Sequence, residues 1–272
     1  MAAEEEREYA FANAQAAQRE RLRTLEALND ARTKQQLTAR GVTEGWRCLE
    51  VGAGGGSIAA WLCDRVAPDG AVVATDLDTT VLGELSHPNL EVRVHDVLVD
   101  DLPKGEFDLV HLRLLLAWMA EPRIALERLV AALRPGGWLV AEELDFASAV
   151  PDPAMGAEAC ARFARLAEAH NAVLAEHHGF DFTYGRRVAG DLEDSGLTDC
   201  ACEGRASMWR GDNAGGLIWR LTIAQLRETI IASARMAAAD LDAAMALCEE
   251  PRFSSLSPVM VAAWGRRPPI RT

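Results

Sequence analysis

Gly52, Gly54 and Gly56 stand in "CLEVGAGGGS", directly behind an apolar run and directly ahead of a helix-like stretch. Glycine weakens strands and helices alike, so this cluster marks a loop whose backbone something approaches closely. The spacing is G-x-G-x-G followed by Ser57; a dinucleotide loop reads G-x-G-x-x-G, and its last glycine position falls here on Ser57. Two carboxylates follow. Asp76 closes the apolar run "AVVATD", where an acid can meet ribose hydroxyls. Asp96 closes "LEVRVHD", where a carboxylate can accept a hydrogen bond from an exocyclic amine. Each alone reads as a loop or capping aspartate. Together, at successive strand ends behind a glycine loop, they describe a nucleoside lying across the edge of a sheet.

Few groups are placed to move a proton. Phe163, Leu166, His170, Leu174 and His177 share one stripe of a long helical pattern, so His170 and His177 face its apolar side and His178 does not. His170 is the candidate base; a satisfied interior histidine is the alternative, and His177 could instead answer the helix terminus near Gly179. Glu143 and Asp145 follow the fifth strand and could bind an amine or act as a base. Tyr9 and Phe11, on an amino-terminal helix, and Trp118 are candidates for the wall of a substrate pocket. Trp209, Trp219 and the Gly215-Gly216 pair are candidates for a lid, with Tyr184 and Arg186 behind them. Six cysteines (Cys48, Cys63, Cys160, Cys200, Cys202, Cys248) form no C-x-x-C pair and no metal-like spacing. Reduced thiols, mostly buried, and no metal site are expected.

The elements that must position these residues alternate regularly. Residues 2–41 read as helices: Glu4, Glu5 and Glu6 suit a helix start, Leu22, Leu25 and Leu28 recur at helical spacing, and Asp30 can cap a second segment. Then come a strand at Arg47 to Val51, a helix at Ser57 to Val66, and the strands "AVVATD", "LEVRVHD" and "FDLVHL". A helix from Arg123 to Leu133 and the strand "WLVAEE" complete the series. Strands alternating with helices imply a parallel sheet covered on both faces, an α/β doubly wound, Rossmann-like fold. Pro151 to Gly179 reads as a helical insertion. "GDNAGG" breaks the chain before two more helices, about Leu217 to Met236 and Asp240 to Glu249, and "PVMVAAWG" is a last strand. The expected division is a helical cap over 1–41, a binding core over 42–150, a substrate cap over 151–185 and the rest of the core over 186–272, with inserted helices at 212–250.

The formal charge of −13 argues against nucleic-acid or anionic-membrane partners. The acidic start, "MAAEEEREYA", is unlike a signal or transit peptide, and no apolar run is long enough to span a bilayer; with the cysteine usage these point to the cytosol.

The segments "LEVGAGGG", "VVATDLD", "VRVHDVLVDDLP", "FDLVHLRLLLAW" and "LRPGGWLVAEE" resemble, in order and spacing, the class I S-adenosylmethionine-dependent methyltransferases. The chain looks nearest to small-molecule enzymes of actinobacterial type. The resemblance covers about Trp46 to Glu143. It implies a mostly parallel seven-stranded sheet whose last strand is antiparallel, with S-adenosyl-L-methionine as cofactor. It also implies that Glu50 and the loop Gly52, Ala53, Gly54 and Gly56 hold the methionine end, and that Asp76 and Leu77 meet the ribose. Asp96 and Val97 would read the adenine, and His111 to Arg113 would border the methionine. The chain departs from many relatives in carrying Trp118 where they have a histidine. It also lacks the N-P-P-Y or D-P-P-Y motif of enzymes acting on bases or glutamine amides. A small-molecule acceptor is therefore expected, with the N-terminal helices able to pair two subunits. Two other readings stand: a cofactor-binding protein of this fold without methyl transfer, and a nicotinamide-dependent oxidoreductase. The glycine spacing and the lack of a Tyr-x-x-x-Lys pair count against the latter.

Overall fold

The computed structural model describes residues 16–269. Its first helix, α1 (Ala16–Ala39), leads into an alternation of β1 (Arg47–Val51), α2 (Ser57–Val66), β2 (Ala71–Asp76), β3 (Leu90–Val94), β4 (Phe107–Arg113), α3 (Pro122–Ala132) and β5 (Leu133–Asp145). A short strand β6 (Val150–Pro151) precedes the long α4 (Ala157–His178). The chain continues through α5 (Val188–Asp194), β7 (Thr198–Arg205), β8 (Met208–Arg210), α6 (Ala214–Ala232), α7 (Ala238–Leu247) and β9 (Ser254–Leu256), and ends on β10 (Val259–Arg266).

The main sheet has seven strands in the order β3-β2-β1-β4-β5-β10-β7. β1 to β5 pair in parallel, and β10 enters antiparallel between β5 and β7. Strand alternation divides the core. Cys48, Val72, Ala74, Leu109 and Val140 face α2, packing with Ile58, Leu62 and Val66. Leu49, Val73, Val110, Leu112 and Leu139 face the other way, into a core shared with Leu126 and Leu129 of α3 and with the cap. A sheet buried on both faces requires such unbroken apolar strands. The strand order reverses between β1 and β4. This is where an open α/β sheet leaves a crevice at its carboxyl edge.

Three features differ from the sequence expectation. α1 is one unbroken helix across Asp30, whose carboxylate takes Arg113, Lys34 and Ser57 rather than capping a second helix. The "GDNAGG" stretch is a helix start, not a gap: Asn213 Oδ1 accepts the Gly215 N–H at 2.8 Å, and α6 begins at Ala214. The glycines are needed because a Cβ at Gly215 would lie 2.2 Å from Cγ of Trp209. Third, β6, β9 and β8 form a separate three-stranded sheet, too short and broken to show in the pattern. The cysteines are all free; Cys48, Cys63 and Cys248 are buried, whereas Cys202 is exposed. Among the described residues no helix is long and apolar enough to cross a membrane, and no group of His, Cys, Asp or Glu is arranged to hold a metal ion.

Candidate functional site

The carboxyl edge of the sheet opens into a cavity of about 1240 Å³. A pocket for one small ligand spans roughly 300–1,000 Å³, so this one has room for two molecules. Its lining changes character along its length. One end is polar and built on strand ends: Glu50, Gly52, Gly54, Asp76, Asp96 and Arg113. The other is aromatic and built on the cap: Trp118, Phe146, Phe180, Trp209 and Trp219, with His170 among them.

The polar end starts with the turn after β1. Gly52 and Gly54 adopt φ of +66° and +54°, a region that side chains disfavour. A Cβ on Gly52 would also stand 3.1 Å from Cδ1 of Leu115. The Gly54 N–H donates to Asp76 Oδ2 at 2.9 Å, and the Asp78 N–H to Oδ1 at 3.2 Å. Asp76 thus ties the glycine turn to the end of β2. Burial raises its pKa, against the pull of these backbone donors. Leu77, 65% exposed, lines the cavity beside it. Asp96 accepts the Leu98 N–H at 2.8 Å, which fixes the turn after β3 next to Val97. Ala53 lines the same end. Gly56 does not; buried, it closes the turn by donating to the Ala53 carbonyl at 2.8 Å.

Beneath this edge lies a buried charge chain. His111 Nδ1 meets Glu50 Oε2 at 2.6 Å and His111 Nε2 meets Glu142 Oε2 at 3.3 Å. Burial alone would lower the imidazole; the two carboxylates outweigh it and raise its pKa to about 9. An imidazolium with a carboxylate on each side holds both acids in place. His111 is therefore a support behind Glu50 and not part of the cavity wall, where the sequence expectation had put it. Thr33 of α1 donates to Glu142 and accepts from Arg113, so the first helix is fastened to this chain.

At the aromatic end, the rings form a continuous series. Trp118 and Phe180 centroids are 4.5 Å apart, Phe146 and His170 5.1 Å, and His170 and Trp219 5.3 Å. His170 is buried, and its Nδ1 lies 2.9 Å from Asn171 Oδ1. Burial lowers the imidazole to about 4, with the neighbouring Arg21 guanidinium acting the same way and Asn171 opposing.

Three expected side chains are elsewhere. His177 is exposed, and it is His178 that lines the cavity. Glu143 faces away from the cavity: its Oε1 accepts the Leu115 and Leu116 N–H groups at 3.0 and 2.7 Å, and burial raises it to about 8. Asp145 is also outside the lining and forms a two-pronged ion pair with Arg186. Tyr184 is buried and donates to Asp191. Tyr9 and Phe11 lie outside the described residues. Sequence reading missed Arg21 and Thr222, whose 3.1 Å hydrogen bond joins α1 to α6, and His95, Phe146 and Phe180. A following-glycine signal at Gly179 could have marked Phe180; the others carry no local signature.

A mostly parallel sheet with this strand order, a glycine turn after β1 and acids at the ends of β2 and β3 define the methyltransferase form of the Rossmann-like fold. Residues 49–139 match the family model described as a methyltransferase domain. The methyltransferases str2 and str3 of Strobilurus tenacellus are 31% and 30% identical to the chain over 118 and 152 residues. Those matches cover 42% and 55% of this chain, and 41% and 52% of the relatives, so the chain spans about half the length of the curated proteins it matches. Phosphoethanolamine N-methyltransferase 2 of Haemonchus contortus, solved with phosphomonomethylethanolamine and S-adenosylhomocysteine, superposes with a TM-score of 0.52 at 15% identity. It covers 83% of this chain and 49% of its own, a likeness of fold.

Proposed function

We propose that this protein transfers a methyl group from S-adenosylmethionine to a small-molecule acceptor. The observation that carries the reading is the single two-ended cavity. A nucleoside-sized polar edge and an aromatic chamber share one space, as a cofactor and its acceptor must. The methyltransferase domain match and the two Strobilurus tenacellus enzymes support the same reading.

The residues of the polar end fit the cofactor. The Gly52–Gly54 backbone leaves a cradle that side chains would fill. Glu50 lines it as a buried acid suited to the cationic methionine end. Asp76 meets the ribose hydroxyls, Leu77 packs the sugar or base, and Asp96 with the Val97 N–H reads the adenine edge. When bound, the cofactor supplies an electrophilic methyl on a positive sulfur. The chain's own work is to bring the acceptor into line with it and to keep water out; alignment alone accounts for much of such a rate. Arg113, held by Asp30 and Thr33, lines the polar end.

Gly54→Val tests the reading. Its side chain occupies the cradle and strains a left-handed residue, so S-adenosylhomocysteine binding by calorimetry is expected to vanish while circular dichroism stays native. Undiminished affinity in the folded variant would remove the cofactor from this edge.

A further inference from the structure

His95 belongs to the cavity wall, yet the cofactor reading above gives it no part. It follows β3 directly and precedes Asp96. Its backbone N–H donates to the Asp76 carbonyl at 3.0 Å, so the main chain here is pinned to the end of β2. The residue is only 8% exposed. Among the described residues, neither of its ring nitrogens has a hydrogen-bond partner. Buried polar groups are nearly always hydrogen-bonded, because losing water without gaining a partner costs free energy. An imidazole carries at least one N–H in both its neutral and its protonated form. This one therefore has a donor to give. It stands between Asp76, to which its backbone is bonded, and Asp96, its neighbour in the chain.

We propose, building on the cofactor reading above, that His95 is a further binding residue for the cofactor: a ring N–H donates to N7 of its adenine. Adenine presents an acceptor, a donor and an acceptor in turn along one edge, at N1, the N6 amine and N7. The wall supplies the opposite series. The Val97 N–H faces N1. The Asp96 carboxylate faces the amine, its orientation set by the Leu98 N–H that Oδ1 accepts at 2.8 Å. His95 is the next residue along the chain and falls at N7. Its tie to Asp76, the ribose residue, agrees with this order, since N7 lies nearer the glycosidic nitrogen than N1 does. Three neighbouring residues thus read one base edge, two as donors and one as acceptor. Hypoxanthine and guanine are rejected, because their C6 oxygen would face the Asp96 carboxylate and meet no donor there. The histidine gains the partner that its burial otherwise denies it. It touches the cofactor far from the reacting methyl, so its effect falls on binding.

The test is calorimetry on the whole protein with S-adenosylhomocysteine and its 7-deaza and 3-deaza analogues, in which a carbon replaces one purine nitrogen. The 7-deaza analogue should bind the parent about three- to tenfold more weakly than S-adenosylhomocysteine, the scale of one hydrogen bond between neutral groups. His95→Ala should lose about the same factor for S-adenosylhomocysteine and nothing further for the 7-deaza analogue, so that the variant binds the two alike. The 3-deaza analogue keeps N7 and should lose as much as S-adenosylhomocysteine does. A merely structural histidine would lower all three affinities equally. His95→Phe keeps a ring and removes both nitrogens, and it decides the matter if His95→Ala does not fold. Equal affinity of the parent for S-adenosylhomocysteine and the 7-deaza analogue, or an equal loss of all three ligands in the variant, would overturn the N7 contact and leave the cofactor reading standing. Absence of S-adenosylhomocysteine binding in the unmutated protein would end both.

Discussion

Asp76 has two duties, and they separate by substitution. Its Oδ2 holds the Gly54 N–H at 2.9 Å, and the proposed ribose contact uses the remaining lone pairs. Asp76→Asn keeps an acceptor for Gly54 but loses the charge, whereas Asp76→Ala loses both. A hydrogen bond to a charged group contributes roughly 1.5–3 kcal/mol, so Asp76→Ala should weaken S-adenosylhomocysteine binding by about ten- to a hundredfold, with Asp76→Asn between it and the parent. Calorimetry checks this; an Asp76→Ala protein that binds like the parent would place the ribose elsewhere. Asp76 was legible in the sequence because a strand end follows from an apolar run and the acid falls on it. The histidines of α4 were less so. Helical neighbours four apart drift by about 40°, and the cavity follows the row His170, Leu174, His178. His177 leaves the covered face near the helix end, where nothing packs against it, so the same stripe that located His170 misassigned His177.

At the scale of elements, the core strands and the cap helices were readable, and the docking of the first helix was not. The strands β1 and β2 and the helix α2 follow directly from their apolar patterns, since a buried parallel strand must be apolar throughout. α1 is different. Much of its buried face is polar: Gln18, Arg21, Thr24, Thr33 and Gln36. The spacing of Leu22, Leu25 and Leu28 marks a helix but not where it docks, because many of its partners are side chains far away in sequence. Thr33 reaches Glu142, Gln36 reaches Glu203, and Asp30 reaches Arg113. The helix matters to function because it carries Arg21, Leu22 and Leu25 to the cavity. Thr33→Val keeps the shape and removes the hydroxyl between Arg113 and Glu142. Leaving such buried groups short of a partner costs about 1–3 kcal/mol. Urea unfolding should show a loss of that size, accompanied by weaker S-adenosylhomocysteine binding as α1 loosens. A variant with unchanged stability would mean that the apolar contacts of α1 alone fix its position.

Across the whole molecule, two buried titrating groups tilt stability toward acid. His111 is raised to about 9 from 6.5, so its contribution is full below pH 6.5 and is lost as pH rises through 9. Glu143, raised to about 8 from 4.5, acts in the same direction: the folded state keeps a proton that the unfolded chain releases, and stability falls between pH 4.5 and 8. Glu142 works the opposite way, its lowered pKa giving stability that disappears only as pH drops below the ordinary carboxylate range. The formal charge of −13 adds self-repulsion on the alkaline side. The melting temperature of the parent should therefore decline steadily from pH 6 to pH 9. Glu143→Gln isolates one part of that slope. Its amide oxygen can still accept the Leu115 and Leu116 N–H groups, and it cannot ionise when unfolded, so it removes the Glu143 term while the charge repulsion stays nearly the same. The variant should melt higher than the parent by a margin that grows from pH 5 to pH 8 and then levels off. Parallel melting curves would mean that Glu143 titrates normally in the folded protein. A margin with retained methyl transfer would show that the acid after the fifth strand holds the loop at Leu115 and takes no part in the chemistry.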